Sequence, residues 1–194
     1  MQAKWNAHYV ALDLTEITRQ SQRPAQVLVE NDFLLPAAGN ALDLACGLGA
    51  SALFLAKCGL TVSAWDISNF AISSLQARAA EQGLAINARV GDIDAKSFTG
   101  LHFDVIVVQH YLDRKLIPAL VSALNPGGLV FYQTFTQAKT RNQGPKNPDY
   151  LLAPGELLTL FSSLQLCFYR EYARLGDLNR GLRNEAQFIG SKSI

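Results

Sequence analysis

Three carboxylates and a glycine turn are spaced along the first half of this chain as one ligand would need them. Asp43 is followed by Leu44-Ala45-Cys46-Gly47-Leu48-Gly49, small residues directly after an apolar run. Such residues let a ligand approach the backbone closely, and the free N–H groups of a following helix attract an anion. Asp66, within Trp65-Asp66-Ile67-Ser68, lies about 20 residues past the glycines, where a carboxylate can accept from two ribose hydroxyls. Asp92, within Gly91-Asp92-Ile93, is placed to accept from an adenine amino group while the next N–H donates to a ring nitrogen. Each feature has a plainer alternative: a tight turn without a ligand, a helix N-cap, a solvated loop acid. Their recurrence after successive apolar runs points to a nucleoside ligand, which none of them does singly.

A second group follows the apolar run Phe103–Val108: Gln109, His110 and Tyr111, with Arg114 close behind. His110 is a candidate general base, although a lone histidine is more often an ordinary packed or surface residue. Tyr111 is a candidate catalytic group or a pocket wall. Arg114 can hold an acidic acceptor or simply face solvent. The histidines His8, His102 and His110 lack metal-ligand spacing, so no catalytic metal is expected. Cys46, Cys58 and Cys167 fit neither a zinc site nor a disulfide framework and read as reduced thiols of a cytoplasmic protein.

These residues need a scaffold that delivers them to one place. Strands are expected over 40–45, 61–66, 86–90, 103–109 and 129–135, and helices over 51–58, 68–82 and 113–124. Gly59 and Gly83 end the first two helices, Ser68 caps the second, and Asn125-Pro126-Gly127-Gly128 is a turn closing the third. Alternation of strand and helix implies parallel βαβ units with helices on both faces of the sheet. After a helix over 154–163, runs at 166–174 and 185–191 pair as an antiparallel hairpin. The fold class is therefore α/β: a doubly wound, mostly parallel seven-stranded sheet ending in that hairpin. The 136–153 segment, rich in proline and glycine, is a candidate lid loop.

Bulk properties narrow the function further. The 194 residues suit a single domain, and a hydrophobic fraction of 49% supplies a core. A net charge of +1 gives no case for nucleic acid or a membrane surface. The N-terminal stretch holds no leader-like or spanning apolar run.

Gly47-Leu48-Gly49-Ala50-Ser51-Ala52 also fits the glycine pattern of dinucleotide binders. Asp43 argues against it, because a pyrophosphate is repelled by a carboxylate that an ammonium or sulfonium tolerates. The chain is also short for a fold with a separate substrate domain.

LDLACGLG, WDIS, GDI, FDVIVVQHYL and LNPGGLVFYQTF resemble, in order, the motifs of class I S-adenosylmethionine-dependent methyltransferases. The nearest likeness is to the small bacterial group related to tellurite-resistance methyltransferases. Trp5-Asn6-Ala7-His8-Tyr9 is similar to that group's W-D-x-R-Y opening, altered at Asn6 and His8. The resemblance implies a Rossmann-like methyltransferase domain with residues 1–36 as a helical cap. It implies that Ala45, Cys46, Gly47 and Gly49 line the methionine portion of the cofactor, with Asp43 near its ammonium and Gln109 facing it. Asp66 then binds the ribose, Ile67 packs on adenine, Asp92 and Ile93 bind its edge, and Trp5 and Tyr9 cover the site.

The implied reaction is methyl transfer from S-adenosylmethionine, leaving S-adenosylhomocysteine, to a small molecule. A soft nucleophile (thiol, selenium or tellurium species) needs little help from a base. A non-catalytic sensor of the same ligands, or a methyltransferase acting on RNA or protein, uses the same motifs. Asn147-Pro148-Asp149-Tyr150 looks like a base-amino methyltransferase signature but follows the fifth strand, not the fourth, so that activity is not expected.

Overall fold

The computed structural model describes the backbone of all 194 residues and every side chain except those of Leu14, Ile17 and Arg19. Seven strands form one sheet: β1 (Asn40–Leu44), β2 (Thr61–Asp66), β3 (Ile86–Val90), β4 (Phe103–Gln109), β5 (Leu124–Phe135), β6 (Gln165–Arg170) and β7 (Glu185–Ser191). Their order is β3-β2-β1-β4-β5-β7-β6. The first five are parallel, and β7 runs antiparallel to both β5 and β6. The chain winds outward from β1 to β3, then crosses back to β4. The β1/β4 boundary is thus the point of reversal, where open sheets bind ligands at the carboxyl ends of their strands.

The central strands are apolar on both faces, which explains how this sequence can be covered twice. Leu42, Leu44, Ile106, Val108 and Tyr132 face one core, with Phe161 and Phe188. Their neighbours Ala41, Val105, Val107 and Phe131 face the other, packed on Leu28, Ala52, Leu55 and Leu75. Each fully buried aliphatic side chain contributes about 1.5–3 kcal/mol.

The helices are α1 (Gln2–Val10), α2 (Leu14–Ser21), α3 (Gln26–Val29), α4 (Ala50–Lys57), α5 (Asn69–Glu81), α6 (Ile117–Ser122) and α7 (Glu156–Leu160). Ser68 caps α5 as expected, accepting the Ala71 N–H at 3.2 Å. Gly59 and Gly83 follow α4 and α5 with positive φ. The N-terminal cap expected over 1–36 consists of α1–α3 and a single turn at Asp32–Leu34.

Four local expectations need correction. The 113–124 helix is a 3-10 turn at Arg114–Leu116 followed by the short α6. Asn125–Gly128 does not close it; those residues already belong to β5 as a bulge, since Leu124 pairs with Phe103 and the register resumes only at Leu129 with Val105. A Cβ on Gly128 would stand 2.9 Å from the Asn125 carbonyl and 3.0 Å from that of Phe103, so the bulge requires glycine. The helix expected over 154–163 is only α7, entered through Gly155 at φ 71°. The run expected over 166–174 ends at Arg170, because residues 171–184 fold around Arg183. Its guanidinium donates to the carbonyls of Tyr172, Ala173, Leu175, Asp177 and Arg180.

The 136–153 segment is also more ordered than an irregular loop. Thr136 bridges Leu152, and Pro148–Tyr150 is a 3-10 turn. No described helix is long and apolar enough to cross a membrane.

Candidate active site

β1 ends by turning sharply. Ala45 (φ 54°), Gly47 (φ 52°) and Gly49 (φ 77°) all take left-handed backbone conformations. At Gly49 any side chain would collide with Leu75. Asp66, buried at the end of β2, ties this turn down: its Oδ2 accepts the Gly47 N–H at 2.8 Å and its Oδ1 the Ser68 N–H at 2.8 Å. Burial pushes its carboxyl upward against those N–H groups. Asp43, also buried, accepts the Ala52 N–H at 2.8 Å with one oxygen, capping the start of α4. Burial pushes its carboxyl to about 7, opposed by that N–H and reinforced by Asp66. Burial, and then the neighbouring Asp43 and Asp66, push the Cys46 thiol well up.

α1 lies across this cradle. A Cβ on Gly47 would stand 2.8 Å from the Tyr9 hydroxyl, so Tyr9 covers the glycine directly. Its ring stacks on Phe70 at 6.5 Å, and Trp5 packs beside it at 6.3 Å. Burial, then the nearby Asp66, raises the Tyr9 phenol well above its ordinary value. The altered opening has its own contacts: the Ser68 hydroxyl donates to Asn6 Oδ1 at 2.7 Å, and His8 packs edge-on to Trp5. Sequence reasoning missed Arg78, on α5. It donates to the Leu48 carbonyl at 2.8 Å and to the Ser21 carbonyl, clamping the glycine turn to the end of α2.

At the end of β3, Asp92 is exposed and accepts the Ile93 N–H at 3.0 Å. The two groups expected on an adenine edge therefore hold each other here. Ile67 follows Asp66 at the adjacent strand end, and Gln109 ends β4 half-buried beside Gln133 of β5.

His110 has the partner that the sequence did not reveal. Its Nε2 lies 3.1 Å from Glu185 Oε2, and its ring stacks on Phe135 at 4.4 Å and 19°. Its backbone is left-handed (φ 55°), a costly conformation for a non-glycine residue at a strand end. Gln133 Nε2 donates to the same Glu185 oxygen at 2.7 Å. Burial would raise the Glu185 carboxyl, but the hydrogen bond and charge of His110 and the Gln133 amide hold it below its ordinary value. Tyr111 is half-buried, and its phenol is pushed up to about 12 by burial, then by Asp113, Asp92 and Tyr150.

Arg114 is already committed. It pairs with both Glu156 oxygens, at 2.5 and 2.9 Å, and donates to the Asp149 and Leu151 carbonyls. It staples the far end of the 136–153 segment and is not a free cation for an acceptor. Asn184 Oδ1 holds the near end, accepting the N–H groups of Thr140 and Arg141. Lys139 donates to the Pro145 carbonyl and lies 5.9 Å from the Phe135 ring, while Lys146 is exposed. Among the described residues no cluster of histidine, cysteine or acidic side chains could hold a metal ion.

Residues 41–128 match a family profile described as a methyltransferase domain. A curated relative, the ubiquinone biosynthesis O-methyltransferase of Methylobacterium nodulans, is 36% identical over 104 residues; the match spans 50% of this chain and 41% of that protein. The chain thus covers well under half the length of that relative. TehB from Haemophilus influenzae superposes with a TM-score of 0.67 at 22% identity, covering 86% of this chain and 61% of the other. An S-adenosylmethionine-dependent methyltransferase from Methanosarcina mazei gives 0.66 at 20% identity, covering 89% and 100%. The sheet order, the reversal point and these likenesses agree. Residues 41–128 are thus similar to a methyltransferase domain, and the fold of the chain is one it shares with solved S-adenosylmethionine-dependent methyltransferases.

Proposed function

We propose that this protein transfers the methyl group of S-adenosylmethionine to a small-molecule acceptor and releases S-adenosylhomocysteine. One observation carries most of the weight: at the reversal point the β1 glycine turn and the β2 carboxylate are joined through the Gly47 N–H and Asp66. The donor set suits that cofactor. Two buried carboxylates and a turn with crowded, left-handed glycines at 47 and 49 fit a ligand bearing a ribose diol and an ammonium, and would repel a pyrophosphate.

In this reading the cofactor, when bound, supplies an activated methyl group. The protein binds, aligns and excludes water. Gly47 and Gly49, with the backbone of Ala45 and Cys46, line the methionine portion, and Asp43 and Gln109 stand near its polar end. Asp66 takes the ribose, Ile67 the adenine face, and Asp92 and Ile93 its edge once their mutual bond opens. Tyr9 and Trp5 close the site from α1. The acceptor lies between His110, Tyr111, Phe135 and the 136–153 segment, which acts as a lid. A cytoplasmic setting belongs to the same proposal, supported by three free thiols.

Two acceptor chemistries compete. A thiol, selenium or tellurium nucleophile needs no base, whereas a hydroxyl does; the printed name of the curated relative brings oxygen acceptors into any screen. Calorimetric titration with S-adenosylmethionine, S-adenosylhomocysteine and NADH tests the cofactor. Binding of the first two alone is expected; binding of NADH alone overturns the proposal.

A further inference from the structure

We infer that Glu185 is the positioning residue for His110, and that the pair serves an acceptor with a weakly acidic hydroxyl, phenolic or enolic. This inference rests on the methyltransferase reading above. Its ground is a line of hydrogen bonds that no soft nucleophile would need. Glu30 Oε2 accepts from Arg170 Nη2 at 2.6 Å, and Arg170 Nε donates to Gln187 Oε1 at 2.8 Å. Gln187 Nε2 donates to Gln133 Oε1 at 2.9 Å, which also receives the Val27 N–H at 2.9 Å. Gln133 Nε2 then donates to Glu185, which faces His110. Gln133 and Gln187 are themselves buried, so every amide in the line is fixed in orientation.

That line determines what His110 presents. An ionised Glu185 accepts, so Nε2 carries the proton and Nδ1 keeps the ring's lone pair. The His110 side chain is 41% exposed while Glu185 is only 13% exposed, so the imidazole is reachable and its partner is shielded. Phe135 fixes the ring from one side, and Lys139 lies over the same Phe135 ring. His110 also stands at the end of β4, next to the β1 end that forms the glycine cradle. The second residue of this strand end, Tyr111, and the exposed Tyr150 offer aromatic surface for a planar acceptor.

The chemistry balances without another reagent. The acceptor hydroxyl gives its proton to His110 Nδ1. An oxygen lone pair forms the O–CH3 bond as the methyl–sulfur bond breaks, and that bond's electron pair stays on sulfur. The imidazolium, held by Glu185, then releases its proton to solvent. A thiol with a pKa of about 8.5 is already ionised to a few per cent near neutral pH and is intrinsically nucleophilic, whereas a phenol with a pKa of about 10 is ionised far less, so a base matters more for the hydroxyl.

Nitrogen-15 NMR of the histidines in the full-length protein tests the pair, with Glu185→Gln and Glu185→Asp beside wild type. Wild type should show His110 as the Nε2–H tautomer; Glu185→Gln should lose that preference, and Glu185→Asp should retain it. With S-adenosylmethionine and catechol as probes, Glu185→Gln should lower kcat roughly tenfold to a hundredfold with KM little changed. An unchanged tautomer in Glu185→Gln overturns the positioning role. Methyl transfer to 2-mercaptoethanol but not to catechol overturns the acceptor class. Failure of wild type to bind S-adenosylmethionine by calorimetry would instead remove the methyltransferase reading, whatever the NMR shows.

Discussion

Asp66 serves the fold, and in the proposed function the site, with the same two oxygens. It holds the Gly47 and Ser68 N–H groups, and each oxygen retains a lone pair for a ligand hydroxyl. Asp66→Ala should weaken S-adenosylmethionine binding by about 1–3 kcal/mol, the cost of unmade charge-assisted bonds. Unchanged affinity in a calorimetric titration would remove Asp66 from the site. Asp43 predicts a pH effect. Its carboxyl sits at about 7 when folded against an ordinary 3.8, so the unfolded chain gives up that proton first. The free protein should therefore lose stability as pH rises through that interval, and Asp43→Asn should flatten the loss. Melting curves across the interval check this; identical curves for both proteins would clear Asp43. A bound ammonium favours the carboxylate, so cofactor affinity should climb over the same range. The positions of Asp43, Asp66 and the glycines were legible in the sequence because they fall at or just past the carboxyl ends of β1 and β2. Arg78 and Glu185 were not, because their partners are brought to them only by the assembled fold.

The elements between those residues were legible where one periodicity ruled. β4 announces itself by the apolar run Val105–Val108, and α5 by its cap and its terminal glycine. Asn125–Gly128 misled because turn-forming residues also build bulges, and only the pairing partner distinguishes the two. The 136–153 segment looked irregular because its ties come from Arg114 and Asn184, outside it in sequence. Arg114→Ala should therefore act on the lid and not on the cofactor. We expect a loss of about 1–3 kcal/mol in stability, a raised KM for the acceptor and unchanged S-adenosylmethionine affinity. Thermal unfolding and steady-state kinetics separate these effects; an equal loss of cofactor affinity would assign the staple to the whole site.

At the scale of the molecule, the sheet brings the residues of the proposed site to the carboxyl ends of its parallel strands, and α1 lies over them. Contacts between α1 and the rest of the protein centre on Tyr9, Phe70, Leu48 and Ser68, all around the glycine cradle. Ligand in the cradle should then stiffen α1. Hydrogen exchange of residues 2–12 is expected to slow when S-adenosylhomocysteine is added, while β4 and β5 change little. Exchange that is indifferent to ligand would make α1 a permanent part of the wall.

The position of β7 carries a consequence in time. Of the seven strands it comes last in the sequence, yet it sits between β5 and β6 and bonds to both. Until it inserts, β6 has no place in the sheet, and β5 keeps an open edge of the kind that invites wrong partners. Glu185 is its first residue, so the His110 pair forms only with that insertion. The parallel half carrying the glycine cradle can assemble earlier. During folding, then, the capacity to hold a nucleoside should precede the capacity to take a proton.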